Sequence, residues 1–536
     1  MTALQAFSAH YLTNLYKQQR IFWTAMATVS VLVCCVGHSV HAADTLPITL
    51  LDAVRSAVSN NASVKFQEQQ LRISQGALAQ ASGQFDPNIG ADTNYQHEET
   101  PNNSLQRQQG GPQATNSDVT TFALRVSQQL RNGATLGTSV STTRSSDTIN
   151  KLLGLPALNL GRLDFTLLVP LGRGSGSASV AGESASSREL QATQADLQQT
   201  LAQQAFSTTA AYWALVASRK NFDIARQAEL GVGALRGELE KLIAADERPA
   251  AELTLIGANI AERATQRIAA ERAVRDAQQA LGRLMGIPYV QYTELRPVDE
   301  FPRRPVSVAA LNDSQTAQLT AHALTRRQDL AAAQYRRSAA QILADAAQHN
   351  LQPQVDLKLN FGVTTLSEGN AARRFAWSYP DNMVGPNVGV SLTYRWAVHN
   401  RTAQGVLAQQ LATLDQSEVR VMTLVNDVGA GIDAALLGAR ASVLQLQESL
   451  RALELYTLSV ENEKTKNRLG QSTLVEVLSV NSLLLSALAA DVSYQANYLT
   501  SIARLRLESA TLIELAGSAQ SVTFEQLITP PLSPAN

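Results

Sequence analysis

Aromatic rings are scarce in this chain, at 5% of 536 residues. The cores of large compact enzymes use more of them. Few rings with plentiful Ala, Leu, Gln and Ser point to long helices packed through Leu and Ala. Cysteine is nearly absent too. The two present, Cys34 and Cys35, are adjacent, so they can build neither a disulfide framework nor a cysteine metal site. No sign of charge dominates, with 44 Lys plus Arg against 45 Asp plus Glu. That balance excludes a generally basic nucleic-acid binder and a highly charged disordered chain. After the first 42 residues no uninterrupted apolar run reaches 18, so a later membrane crossing would fall to strands.

The early apolar run reads as an address. Lys17 and Arg20 precede Ile21 to Val36, and Ser39-Val40-His41-Ala42 follows. A basic start, an apolar middle and a small-residue end make a signal peptide over 1–42, cut after Ala42. An anchoring helix would want about 20 apolar residues. Cleavage removes both cysteines and leaves a mature charge of −3. A lipoprotein signal would instead keep Cys34 or Cys35 as the new N-terminus. Val33 is bulky for that signal, but the sequence leaves lipidation open.

The rest repeats itself. An offset of 266 residues places Ala57 to Val64 on Ala323 to Leu330, Pro87 on Pro353, and Tyr95 on Phe361. Each copy reads as short helix, longer helix, proline, strand. Leu407, Leu411, Leu414, Val421, Val425, Val428 and Ile432 trace a heptad seam through a proline-free stretch from His399 to about Asn467. A second helix is expected from about Thr473 to Leu515, after a turn at Arg468-Leu469-Gly470 with Ser472 or Thr473 as cap. A matching pair is expected over about 182–244 and 250–285, turning at Ala245 to Pro249. An offset of 224 places Glu252 on Glu476 and Asp246 on Gly470. The first copy is therefore longer by about 42 residues, placed within 98–160. The organisation expected is repeat 1 over 43–285, a proline-bearing connector over 286–315, repeat 2 over 316–516, and a tail over 517–536.

Four strands are expected: Pro87 to His97, Arg162 to Val169, Pro353 to Thr364, and Asn387 to Trp396. Each approaches the length that crosses a bilayer as a tilted strand. Tyr95, Tyr394 and Trp396 near their ends suit a membrane interface. The alternative is two small soluble hairpins. A further hairpin, Thr120 to Leu130 and Ala134 to Thr143, adds barrel strands or forms an appendage, and the sequence leaves both open. If the strands enter a membrane, every backbone group there needs a partner and the sheet must close. Four strands cannot close, so several chains must share one barrel.

These features resemble the TolC-like outer membrane efflux protein family. The resemblance rests on Leu50-Leu51-Asp52-Ala53-Val54 with Asn60-Asn61, on Arg326-Arg327-Gln328-Asp329-Leu330, and on Arg468-Leu469-Gly470 followed by Leu474-Val475-Glu476-Val477-Leu478. It covers about 46–516. It implies a mixed α/β membrane protein built from two internal repeats: a trimeric, twelve-stranded outer-membrane β-barrel continued by a long periplasmic α-helical barrel. The function implied is a passive exit duct of a tripartite efflux or type I secretion system in the bacterial outer membrane, extending into the periplasm. Its partners would be two further copies of itself, a periplasmic adaptor (membrane fusion) protein, an inner-membrane transporter and outer-membrane lipid, with no nucleic acid. By position, the adaptor-contact tips would include Asp246, Glu252, Arg468, Leu469 and Gly470, and the pore entrance Glu476 and Ser479. Ser479 stands where a second acidic residue is common, and Asp246 where the first tip usually has glycine.

Other features carry less. Leu171-Gly172-Arg173-Gly174-Ser175-Gly176 lacks the Lys-Ser/Thr ending of a phosphate loop and reads as a strand-to-helix joint with a serine cap. His97-Glu98-Glu99 reads as solvated rather than metal-binding. No nucleophile elbow or zinc helix motif appears, so neither an enzyme nor a cofactor is expected. The rival reading is an exported coiled-coil structural or adhesive protein without a pore. A soluble periplasmic enzyme comes third.

Overall fold

Capping residues set where the helices begin. Thr49 accepts the Asp52 N–H at 3.2 Å and opens α1 (Leu50–Asn60). Asn61 breaks the chain there, accepts the Ser63 N–H at 2.7 Å to start α2 (Ala62–Ser82), and donates to the Leu284 carbonyl at 2.8 Å. The computed structural model describes residues 46–108, 110–302, 314–376, 382–516, 519–521 and 523–531. The expected signal peptide and Pro305 of the connector lie outside them.

Two very long helical hairpins follow. One is α3 (Ala181–Ala244) with α4 (Glu252–Met285). Between the hairpins come α5 (Ser314–Arg326) and α6 (Gln328–His349). The other hairpin is α7 (Arg401–Arg468) with α8 (Leu474–Glu508). At about 1.5 Å per residue, the 68 residues of α7 run on the order of 100 Å. Helix α8 stops at Glu508, short of the expected Leu515. Ala510 turns left-handed (φ 57°) and the Thr511 N–H bonds the Arg506 carbonyl at 2.8 Å, which closes the helix. Arg506 then holds the tail, donating to the Thr529 carbonyl at 2.5 Å, beside a short helix Phe524–Ile528.

The heptad seam of α7 is only partly covered. Leu414, Val428 and Ile432 are buried, but Leu411 and Val425 are exposed, as are Leu437, Leu455 and Leu458. By length and composition α7 and α8 could each cross a membrane, which the count of uninterrupted runs did not foresee. Their apolar residues form stripes beside polar faces, so they suit packing on other helices better than lipid all round.

Six strands form one antiparallel sheet. They are β1 (Asn88–Pro101), β2 (Ala114–Gln129), β3 (Thr135–Asp147), β4 (Leu158–Pro170), β5 (Gln354–Glu368) and β6 (Met383–Arg395). Each pairs with the next in chain order. Four correspond to expected strands and run up to four residues further at an end. The undecided hairpin, β2 and β3, lies inside the same sheet between β1 and β4, so it is no appendage. Its tight turn, Leu130 to Ala134, closes with the Leu130 N–H on the Ala134 carbonyl at 2.7 Å.

Helix ends are locked by ionic and polar staples. Arg327, between α5 and α6, bonds Asp329 at 2.7 Å and Glu508 at 2.7 Å, the two carboxylates lying on either side of it. Burial works against its charge, but these bonds outweigh that and raise its pKa. Gly431 of α7 leaves room, since a Cβ there would sit 3.0 Å from the Glu508 carboxylate. Asp299 accepts the Leu50 N–H at 2.6 Å and the Tyr212 hydroxyl at 2.8 Å. Burial pushes the Tyr212 phenol up. Removing Glu508 takes one of two carboxylates from Arg327, which keeps Asp329. Glu508→Ala is therefore expected to cost about 2 kcal/mol, read as a lower thermal midpoint by circular dichroism.

Candidate functional site

The sheet has two unlike faces, fixed by register. One row runs Ile89, Val126, Thr138, Phe165, Phe361, Val388 across all six strands. The next rows on that face carry Leu124, Val140, Leu163 and Val363 on one side, and Leu136, Leu167, Leu359 and Val390 on the other. Along β5 this apolar band runs from Val355 to Val363, on the order of 26 Å at about 3.3 Å per residue. Its side chains stand exposed: Phe361 at 50%, Val390 at 68%. The opposite face carries Asp92, Arg125, Ser139, Arg162, Asp164, Lys358 and Asn360, with Arg125 paired to Asp92 at 2.6 Å.

The strand ends differ as well. The end that joins the helices has the tight β2–β3 turn. The other end has long connections over 102–113, 148–157 and 369–382. Tyr394 and Trp396 mark the helix end, 61% and 60% exposed. Tyr95 is not at a strand end, because β1 continues to Pro101. It sits on the apolar face where the apolar rows stop, and donates to Asp118 at 3.1 Å. His97 approaches Asp118 at 2.7 Å, a partner its neighbours Glu98 and Glu99 did not suggest.

The joint between sheet and helix is tied by a backbone hydrogen bond and an ion pair. The Leu171 N–H bonds the Val355 carbonyl at 2.7 Å, and Arg131 pairs with Glu183 at 2.8 Å. Arg131 and Ser82 hold the Glu183 carboxyl below its usual range. Ser175 is not the cap of α3. Its hydroxyl turns back to the Gly172 carbonyl at 2.8 Å, and Val180 precedes the helix.

At the far ends of the hairpins the two tips share one apolar cluster. Val232, Leu239 and Ile256 of the first pack with Leu474 and Leu478 of the second. The turns have the same shape. Gly470 lies at φ 73° and Asp246 at φ 63°. In each, the next N–H reaches back five residues, Gln471 to Lys466 at 2.9 Å and Glu247 to Leu242 at 2.9 Å. Asp is one of the few residues tolerated in this left-handed region, so the missing glycine leaves the tip geometry intact. Arg248 crosses between tips, donating to the Asn467 side chain at 3.3 Å and lying 3.6 Å from Glu252. Leu469 is 68% exposed. No local pattern marks Arg248, because its partner is 219 residues away.

Glu476 and Ser479 are both exposed on α8. Glu476 folds back on its own helix start. Its carboxylate accepts the Thr473 N–H at 2.7 Å and the Ser472 hydroxyl at 2.9 Å, while the Thr473 hydroxyl accepts the Glu476 N–H at 3.3 Å. This is a capping box. The Thr473 N–H and then the Ser472 hydroxyl hold the Glu476 carboxyl low. Glu463 faces the same Ser472 and is also lowered, first by that hydroxyl and then by Lys466.

Residues 319–509 match the family model described as outer membrane efflux protein. That stretch is similar to this family over rather more than a third of the chain. No curated protein sequence matches the chain. Solved channels share its fold at low identity. The Campylobacter jejuni CmeC outer membrane channel is 14% identical, with TM-score 0.65, over 88% of this chain and 87% of that one. VceC from Vibrio cholerae is 16% identical, with TM-score 0.62, over 86% and 95%. The open Neisseria gonorrhoeae MtrE channel is 14% identical, with TM-score 0.60, over 86% and 88%. The chain thus has the fold of these outer-membrane channels, with a helical part and a sheet of the kind they have.

Two outcomes follow for the tips. Asp246→Gly removes a side chain from a left-handed position and should slow amide exchange at Glu247, for a gain of about 1 kcal/mol. Gly470→Ala should do the reverse at Gln471. A carboxyl with a lowered folded pKa stabilises the fold above its unfolded value and loses that as pH falls through the folded value. Exchange protection at Thr473 should therefore persist on acidification through the ordinary Glu value of 4.5 and fail only below it. Glu476→Gln should flatten that profile.

Proposed function

We propose that three copies of this chain form the passive exit conduit of a tripartite efflux or type I secretion system, docked to a periplasmic adaptor and, through it, to an inner-membrane transporter. One observation carries the reading. The sheet is apolar on one face, polar on the other, and open at both long edges, β1 and β6. Lipid on the apolar face and neighbouring copies on the edges satisfy both. The partly bare seams of α7 and α8 would face helices of neighbouring copies, prolonging the conduit as a helical barrel.

Two internal repeats, 43–285 and 316–516 joined by 286–315, account for the layout. The offset of 266 relates the helix breaks at Asn61 and Arg327 and the strand starts at Asn88 and Gln354. The helix ends at Ala244 and Arg468 keep the offset of 224. Tyr95, Tyr394 and Trp396 border the lipid band. The paired tips, with Asp246, Glu252, Arg468, Leu469 and Gly470, are the adaptor contact. Leu469 is the apolar anchor. Glu476 lines the pore entrance in three copies, its capping role and its ring charge being compatible, and Ser479 lies one turn inward.

Purified protein should conduct ions across a planar bilayer. Folded protein without conductance would favour a pore-free coiled-coil protein instead. Glu476→Ala is expected to lower cation preference and divalent block, and an unchanged selectivity would remove Glu476 from the entrance. Leu469→Asp should cut adaptor crosslinking at unchanged trimer yield, and full crosslinking would rule out the tip contact.

A further inference from the structure

The six strands have a consequence for the size of the conduit. We propose that the β2–β3 hairpin is membrane-spanning and that the closed barrel holds 18 strands, three copies of a six-stranded sheet, with β6 of one copy pairing with β1 of the next. This rests on the exit-duct reading above and departs from the twelve strands its family resemblance implies.

Three features of the sheet support it. The row of Leu124, Val140 and Leu163 is apolar through the hairpin, and Thr138 is the one polar member of the row from Val126 to Phe165. Val126, Leu124 and Phe122 of β2 and Leu136 and Val140 of β3 stand on the face of Phe165, Phe361 and Val388, while Arg125, Ser127, Ser139 and Ser141 stand on the other. A hairpin outside the bilayer has no reason to keep that alternation in step with its neighbours. With 16 and 13 residues, β2 and β3 also exceed the roughly 9–11 a tilted strand needs to cross. The edges fit a second copy of this chain. They are 14 and 13 residues long, exposed almost throughout, and antiparallel in sense, because an even number of strands separates them. Edges of this length are not left bare.

Barrel diameter grows about linearly with strand number, so 18 strands give a lumen roughly 1.5-fold wider than twelve. That is porin width, which leaves an aqueous channel. The lumen would carry both signs of charge, Asp92, Arg125, Arg162, Asp164 and Lys358. The outer mouth would then admit bulky cargo without charge selection, leaving any constriction to the helical part.

Environment-sensitive thiol labels test this in the full protein reconstituted in phosphatidylcholine vesicles. The chain's own cysteines are Cys34 and Cys35, so both are replaced by Ser. Val126→Cys and Val140→Cys labels should be quenched by spin-labelled lipid as strongly as Leu359→Cys and Val390→Cys labels on β5 and β6. Ser127→Cys and Ser139→Cys labels should be quenched instead by a water-soluble agent. Native mass spectrometry should count three copies. If Leu359 and Val390 labels meet lipid but Val126 and Val140 labels do not, the hairpin is outside the bilayer and the inference fails while the duct reading stands. Two copies would give twelve strands and also overturn it. If none of the four labels meets lipid, the duct reading itself falls, and the inference with it.

Discussion

Backbone hydrogen bonding governs this architecture. A strand in hydrocarbon must pair every N–H and C=O, since an unmet group there costs several kcal/mol. This chain brings a sheet with an apolar face and two bare edges. Among the described residues nothing covers those edges. On the exit-duct proposal the repair is another copy, and the ring it creates would also set the arrangement of the helices. Their half-covered seams would then be completed by the same neighbours that close the sheet. The exposed Leu437, Leu455 and Leu458 on α7 and the exposed Val388 and Val390 on β6 would thus have related causes, the first facing protein and the second lipid on that proposal.

The staples around the helices follow from length. A helix of about 100 Å is flexible over its span, so its position depends on where its ends are fixed. Arg327 fixes the end of α8 to the start of α6 through Glu508 and Asp329. Asn61 and Asp299 do so near α1, and Arg131 with Glu183 ties the sheet to α3. Several of these are the residues through which the family resemblance was first visible. Their roles here are structural, which is why a resemblance carried by them reports architecture and says little of cargo.

Much of that architecture was legible before the structure. The hairpins showed through the heptad seam, through Gly470, and through Ser472 or Thr473 as a cap, because helix periodicity and caps are local signals. The strands were legible only where apolar and polar residues alternate strongly. Beyond Tyr95 the sequence His97-Glu98-Glu99 turned polar, so β1 looked finished, although it continues to Pro101. In β2 and β3 many inward positions are Ser and Thr, and Thr120, Thr138 and Thr142 stand on the outward face, so the alternation is weak in hydropathy and clear only in register. Asp299, Arg248 and Glu508 act on partners that are distant in sequence, and no local pattern marks them.

The tips show how a shape persists when its usual residue changes. Gly470 and Asp246 hold the same left-handed turn, closed by the same backward bonds. Glycine reaches this conformation without strain, while Asp accepts some. The first tip therefore keeps its form because the packed cluster of Val232, Leu239 and Ile256 against Leu474 and Leu478, with Arg248 across to Asn467, over-determines it. A partner that docks on backbone contour and the exposed Leu469 would meet much the same surface whichever residue stood at position 246. The constraint thus sits in the fit between the two hairpins, and so does the freedom of this chain to depart from the usual glycine.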